Sequence, residues 1–290
     1  SSVMVYDNST ELGAATVSGS SWSYSATVAN GTTHQFNVRE TDLAGNTSAA
    51  TSNLAVTGDT TAPTANFTAA TDDIGTVQGA LTSGDTTDDT AALLLSGTNE
   101  SGSSVKVYNS TTELDNATVS GTSWSYSATV ANGTTYQFNV RETDLAGNTS
   151  NATNNFAVTG DTTPPTVSGV AITSVTGIQN NLLNVGDNVS VTVTFSENVP
   201  VTGTPQLTLA VGSDNRTATY ASGTGNAPLV FTYTIQAGDN DTNGISIRAD
   251  AIALDNGTIS DPAGNNATLT HNAVSDNNSY MVDTEAPRVD

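Results

Sequence analysis

The sequence predicts an all-β protein, a row of β-sandwich domains joined end to end, and three observations carry that prediction. Apolar and polar residues alternate in many short runs. Turn signals separate these runs about every 8–12 residues, as in sandwich proteins. One long stretch recurs almost unchanged a domain's length later. No segment of useful length shows helical periodicity.

The recurrence sets the organisation. "RETDLAGNTS" stands at Arg39–Ser48 and again at Arg141–Ser150, 102 residues apart. Around it, Val17–Ser48 and Val119–Ser150 differ only at Ser20/Thr122 and His34/Tyr136. That period is too long for a solenoid repeat and fits a whole small domain. Near-identity points to duplication, with more copies expected in a longer parent protein.

The elements follow in order. Val3 and Val5 alternate with polar neighbours, as do Val105 and Val107 around Lys106. In Ser21–Val28, Trp22, Tyr24, Ala26 and Val28 share one face and Ser21, Ser23, Ser25 and Thr27 the other, the period of a half-buried strand. Both tryptophans, Trp22 and Trp124, are therefore expected in cores rather than as sugar platforms. Asn30-Gly31 signals a turn, and the next strand, Thr33–Glu40, is read with Phe36 and Val38 inward and Gln35, Asn37 and Arg39 outward. Ala92–Leu95 is a short apolar run, and Val189–Phe195, Gln206–Val211 and Val230–Ile235 alternate again.

A recurring D-T-x-x-P tag marks the boundaries, at Asp59–Pro63, Asp161–Pro165 and Asp283–Pro287. Proline blocks ladder pairing and stiffens a link. The units expected are an incomplete sandwich over 1–61, a complete one over 62–163, and a second type over 164–290 with a C-terminal linker. Aligned on the second unit, Ser1 matches Ser103, so the first lacks the strands equivalent to Thr64–Gly102. It is expected to expose a sheet edge and half a core, its upstream residues cut, disordered or replaced by a neighbour's strand.

Composition narrows the function. Six Lys+Arg against 28 Asp+Glu give a net charge of −22, which argues against nucleic acid or anionic membranes as partners and favours cations. Cysteine is absent, so no disulfide framework staples the small domains, and metal is the usual alternative. No apolar run reaches the ~18 residues of a membrane span, and no signal-peptide pattern opens the chain. A soluble, monomeric segment internal to something longer is expected.

"TDDIGTVQGALTSGDTTDDT" (71–90), "SGTNESGSSVKVYN" (96–109) and "ETDLAGNTS" (142–150) resemble the bacterial immunoglobulin-like repeats of very large RTX adhesins, the type I-secreted proteins of biofilms. "VTFSENV" (193–199), "YTIQAGDNDTNGISI" (233–247) and "DPAGNNATL" (261–269) resemble a second repeat type of the same adhesins. The resemblance covers nearly the whole chain. It implies tandem immunoglobulin-like β-sandwiches at the bacterial cell surface. There they form a non-catalytic extender that carries adhesive domains outward, its joints stiffened by calcium and its partners the neighbouring repeats.

The residues supply their own argument for calcium. D-x-A-G-N occurs at Asp42–Asn46, Asp144–Asn148 and Asp261–Asn265, each preceding its tag by 17, 17 and 22 residues. One strand fits between, so each loop lies at the pole opposite its own tag, where the preceding domain's tag arrives. In immunoglobulin topology that pole also holds the B–C loop, here Asn99-Glu100-Ser101 and Ser196-Glu197-Asn198. The first joint then gathers Asp59, Glu100, Asp144 and Asn148, and the second Asp161, Glu197, Asp261 and Asn265. Converging carboxylates with almost no Lys or Arg suit Ca²⁺, which takes six to eight hard oxygen ligands at about 2.3–2.6 Å. The alternative is that each Asp only closes a tight turn.

Two further acidic sets stand out. Asp72, Asp73, Asp88 and Asp89 flank the first long connection of the second unit; they reach the following joint, bind an ion inside the domain, or form a solvated loop. Asp239-x-Asp241-x-Asn243-Gly244 with Asp250 matches the start and end of an EF-hand loop, but no helices flank it, leaving a turn-borne calcium loop or a polar hairpin turn. Catalysis is not expected. His34 is Tyr136 in the repeat, His271 has no cysteine or second histidine for zinc, and no serine sits in a nucleophile elbow. The alternatives to a stalk are a calcium-dependent adhesion module for a glycan or peptide, and acidic accessory sandwiches of a secreted enzyme or acidic domains of a halophile that need no specific ion.

Overall fold

A computed structural model describes residues 1–287, which are all β with no helix. In the middle unit, two five-stranded sheets enclose one core. The first sheet runs Thr118–Ser120, Ser123–Ala128, Leu93–Thr98, Asn66–Asp72, Gly79–Ala80; the second runs Thr112–Asn116, Ser104–Asn109, Thr135–Thr143, Phe156–Gly160, Thr86–Thr87. Alternation decides what is buried: Leu93, Leu95, Val105, Val107, Trp124, Phe138 and Val140 fill the space between the sheets. Trp124 donates its indole N–H to Asn66 O at 3.0 Å, across Gly97, where a Cβ would stand 2.6 Å from the indole nitrogen. Only glycine allows that approach. The last strand pairs parallel with Thr86–Thr87, through Thr159↔Thr86 and Gly160↔Thr87.

The first unit has one four-stranded sheet, Thr10–Ala14, Ser2–Asp7, Thr33–Thr41, Leu54–Thr57, and a small hairpin, Thr16–Ser18 with Ser21–Ser23. The strands that would face Trp22 are not in the sequence, and Trp22 is 47% exposed where Trp124 is 2%. The inward reading of Trp22 is thus corrected: parity gave the face, but no second sheet covers it. The outward reading of Asn37 is corrected too. Asn37 and its counterpart Asn139 are buried, each donating its amide to a backbone carbonyl and to Asn53 or Asn155.

The third unit is built on a six-stranded sheet, Val167–Thr176, Asn188–Val199, Asn226–Thr234, Asp214–Ser222, Gln206–Val211, Ser246–Ala253. Smaller sheets close it, including Leu182–Leu183 paired parallel with Met281–Asp283. Its core gathers Val189, Val191, Val193, Leu207, Leu209, Phe231 and Ile235, the inward positions of the three alternating runs.

The links are tied on both sides. Asn30 and Asn132, the turn asparagines, accept from Thr60 N and Thr162 N at 2.9 Å and donate to Thr61 and Thr163 Oγ1 at 3.0 Å. Pro63 and Pro165 are buried. After Pro165, Thr166 exchanges hydrogen bonds with Ser196, and Pro165 O accepts from Thr268 N at 2.8 Å.

A candidate cation site at the joint between the second and third units

The D-x-A-G-N turn has the same build in all three copies. Asp261 Oδ1 accepts from Gly264 N and Asn265 N at 2.8 and 2.9 Å, and Oδ2 from Asn265 Nδ2 at 2.8 Å. Asp144 and Asp42 hold Asn148 and Asn46 in the same way. The glycines sit at φ +89°, +95° and +106°, a region that disfavours other residues. So the turn role is real for each Asp. Asp261 in addition keeps an oxygen within 4.8 Å of Asp161 and Glu197. The asparagines take part as donors: Asn148 Nδ2 reaches Asp59 O at 3.2 Å, and Asn265 Nδ2 reaches Asp161 O at 3.0 Å. Each amide therefore clamps the incoming tag to the receiving domain.

At this joint three carboxylates converge. Asp161, Glu197 and Asp261 each offer an oxygen within 4.8 Å of the others. Asp261 is fully buried, the other two half-buried. Glu197 is pushed above the usual carboxylate range, first by burial and then by the charges of Asp261 and Asp161. Glu197 does not lie in a loop as expected. It stands within the strand Asn188–Val199, in the irregular stretch between Thr194 and Val199 where the ladder shifts register. That irregularity turns its side chain toward the joint. Asp72, Val77, Asp85 and Asp161 from the middle unit, and Glu197, Asn198 and Pro262 from the third, line a cleft of about 540 Å³.

At the joint between the first and second units, Asp59, Glu100 and Asp144 line a shared cleft of about 420 Å³ with Leu145. Among the described residues, only Asp161, Glu197 and Asp261 meet the three-way spacing, so this earlier trio is more open. Beneath it lies a residue that sequence reasoning missed. Glu142 is fully buried; its Oε1 accepts from Glu100 N at 2.5 Å and Ser103 Oγ at 2.6 Å, and its Oε2 is sealed from solvent without a partner. The signal was there: Phe138, Val140 and Glu142 share one parity. The third unit puts Ile259 at this place, two residues before Asp261.

Asp72, Asp73, Asp88 and Asp89 gather at the pole of the middle unit that meets the third. Thr76 Oγ1 of the adjoining loop donates to Gly264 O at 2.8 Å. Asp88 is pushed up by burial first, then by Asp72, with Asp261 of the next unit also acting. The set thus reaches the following joint, one of the options open from sequence.

The EF-hand-like set is dispersed among other partners. Asp239 pairs with Arg216 Nε at 2.5 Å and accepts from the Tyr233 hydroxyl at 2.6 Å. Burial raises Asp239, but Tyr233, Gln236 N–H and Arg216 outweigh it and hold the carboxyl low, while burial and Asp239 push Tyr233 to about 12. Asp241 accepts from Gly212, Asn243 and Gly244 N–H groups. Asn243 donates to Asp276. Asp250 holds His271 N at 2.9 Å. The four residues order loops separately: Arg216, Tyr233 and backbone donors hold the three carboxylates, and Asn243 donates to Asp276. The spacing matched a motif whose helical frame is absent.

No protein-family model matches the chain, nor does any curated protein. Among solved structures it is similar to the fibronectin(III)-like modules of Clostridium thermocellum CbhA, at 13% identity and a TM-score of 0.32, over 64% of this chain and 86% of that one. A likeness of that degree carries no functional argument.

Proposed function

We propose that this chain is a structural extender segment of a bacterial cell-surface adhesin, in which Ca²⁺ fixes the angle between successive β-sandwiches. One observation carries the reading: carboxylates from the linker, the D-x-A-G-N turn and the receiving strand converge as Asp161, Asp261 and Glu197. Among the described residues no Lys, Arg or His pairs with any of them. Three anions at that spacing repel unless a cation joins them. Hard oxygens in an irregular set, with linker carbonyls beside them, fit Ca²⁺ better than Mg²⁺, which demands tight octahedral geometry. The bound ion would supply charge neutralisation and a tie between neighbours. The Asn265 clamp and the doubly fastened linker support the same mechanical role.

Small-angle scattering of the whole chain tests this. Wild type is expected to show a larger maximum dimension and a narrower distribution in Ca²⁺ than in chelator. Asp161→Asn and Glu197→Gln are expected to stay folded and lose most of that difference. An identical dimension in both conditions for wild type rules the reading out. Saturable binding, rather than stabilisation by any salt, separates it from generic halophilic acidity.

A further inference from the structure

The outermost strand of a sheet leaves a row of N–H and C=O groups unpaired, so sheet edges are where a β protein is open to other chains. Most edges of this molecule are guarded by shortness or by charge. In the first unit the outer strands are Thr10–Ala14, with Glu11, and the four-residue Leu54–Thr57. In the middle unit they are Thr112–Asn116, with Glu113 and Asp115, and strands of two or three residues. On the main sheet of the third unit, the edge strand Ser246–Ala253 carries Arg248 and Asp250. The opposite edge of that sheet, Val167–Thr176, differs from all of these. It is ten residues long and has no charged residue. The uncharged run around it extends from Thr162 to Gly186, bounded by Asp161 and Asp187.

The strand is held from within and open from without. Val167, Val170, Ile172 and Val175 pack on the core of the third unit, while Ser168, Ala171, Thr173 and Thr176 stand exposed. Among the described residues its hydrogen-bonded strand neighbour is Asn188–Val199 alone. Register shifts after Val167 and after Ile172 bend the ladder, and Gly169–Ile172 stays regular between them. Beside Val167–Val170 a cleft of about 510 Å³ separates the strand from Thr270–Val274, which leaves that side uncovered. Valine, isoleucine and threonine dominate the strand and proline is absent from it, a composition suited to pairing on both sides.

We propose that Val167–Thr176 is a self-association edge. It pairs antiparallel with the same strand of a second copy of this chain, about a twofold axis, and joins two six-stranded sheets into one. Charge selects this partner. The net charge of −22 opposes contact between copies, and this strand is the long edge along which no acid meets an acid. A partner of opposite charge gains nothing from an edge that carries none. A strand paired antiparallel with itself makes an isologous contact that closes at two copies, so the product is a lateral pair of chains rather than a fibre. An interface of one strand from each side is small and belongs to the weak, reversible class. No bound ion takes part, so the pairing stands apart from the calcium joint.

Sedimentation equilibrium of the whole chain in chelator tests the edge. Wild type is expected to show a monomer–dimer equilibrium that strengthens with added salt, because salt screens the repulsion between two acidic chains. Ala171→Lys combined with Thr173→Lys sets like charges against each other across the twofold axis and is expected to weaken the dimer about tenfold. Ala253→Lys, on the opposite edge of the same sheet, is expected to leave it unchanged. The chain has no cysteine, so the single variants Ser168→Cys, Ala171→Cys, Thr173→Cys and Thr176→Cys map the contact. Oxidation is expected to link two copies through at least one of them and not through Ala253→Cys. A wild type that stays monomeric at every concentration and salt level overturns the proposal. So does a dimer that forms in Ca²⁺ and not in chelator. A dimer that the paired lysines leave intact overturns it too, because the contact then runs through another surface, such as the half-exposed Trp22 side of the first unit.

Discussion

Glu142 shows how one residue can sit at a core position and still serve a pole. Its Oε1 satisfies Glu100 N and Ser103 Oγ, so removing the acceptor leaves two donors stranded. Glu142→Ala is therefore expected to destabilise the middle unit by about 2–3 kcal/mol, and Glu142→Gln, which keeps an acceptor, by clearly less. Urea unfolding checks this, and equal losses for both would refute the role. The acids of the joint give a pH prediction. Glu197, Asp88 and Asp89 have raised values, with burial the first cause, so the folded state holds their protons more tightly than the unfolded chain. Their stabilising contribution is complete below the ordinary carboxylate range and is lost as pH rises through the raised values. Asp42, Asp144 and Asp239 are lowered, Asp42 and Asp144 chiefly by their Asn partners; their contribution is present above the ordinary range and is lost as pH falls through the lowered values. In chelator the melting temperature should peak near the ordinary carboxylate range and fall on both sides. A flat profile from there to neutrality would contradict it. The parity that reads Phe36 and Val38 inward carries over to Phe138 and Val140 in the second copy and runs on to Glu142, which the sequence reading did not single out. Glu197 was legible as an acid of the joint. Its place inside a strand was not, because a register shift is set by pairing across the sheet.

At the scale of elements, the D-x-A-G-N turns have one sequence pattern and two surroundings. Gly147 has open space where a side chain would go, whereas Gly264 faces Val77 N at 3.1 Å and Thr76 N at 3.3 Å. Both sit at positive φ, so alanine costs each turn about 1–2 kcal/mol of backbone strain. Gly264→Ala should in addition push the Thr76 loop off its neighbour. Scattering should then report a looser joint for Gly264→Ala and an unchanged shape for Gly147→Ala. If the two variants give the same profile, the Thr76 contact does not hold the units. Strand periodicity and turn residues revealed the sandwiches, because period two survives wherever a face is buried. Parity gives Trp22 the same face as Trp124 but not its 47% exposure, since burial depends on a facing sheet and not on the strand's own period. The EF-hand-like spacing left a calcium loop or a polar hairpin turn open for a related reason: ligands need convergence in space, and Arg216, twenty-three residues before Asp239, holds the first carboxylate.

Across the whole molecule, the net charge of −22 includes acids contributed from both sides of each joint, Asp59 with Glu100 and Asp144, and Asp161 with Glu197 and Asp261. Binding to the folded state alone stabilises it by mass action. Calcium is thus expected to raise the melting temperature, chelator to reverse the rise, and magnesium at equal concentration to give a markedly smaller gain. Equal gains from both ions in differential scanning calorimetry would point to general screening instead of built sites.

The parallel pairing beside each tag gives the row of domains a property of its own. In the middle unit, Thr159 and Gly160 lie alongside Thr86 and Thr87, and in the third, Met281 and Val282 lie alongside Leu182 and Leu183. Tension along the chain enters each unit through the strand next to the tag. Where neighbouring strands run parallel, their slanted hydrogen bonds are evenly spaced, and a pull along the strand loads them together, in shear. An antiparallel hairpin tugged from its open end gives way one bond at a time. The linkers have little slack, fastened by Asn30 and Asn132 behind and by buried prolines ahead. A tug at one end therefore reaches these lap joints before it can unravel any single sheet.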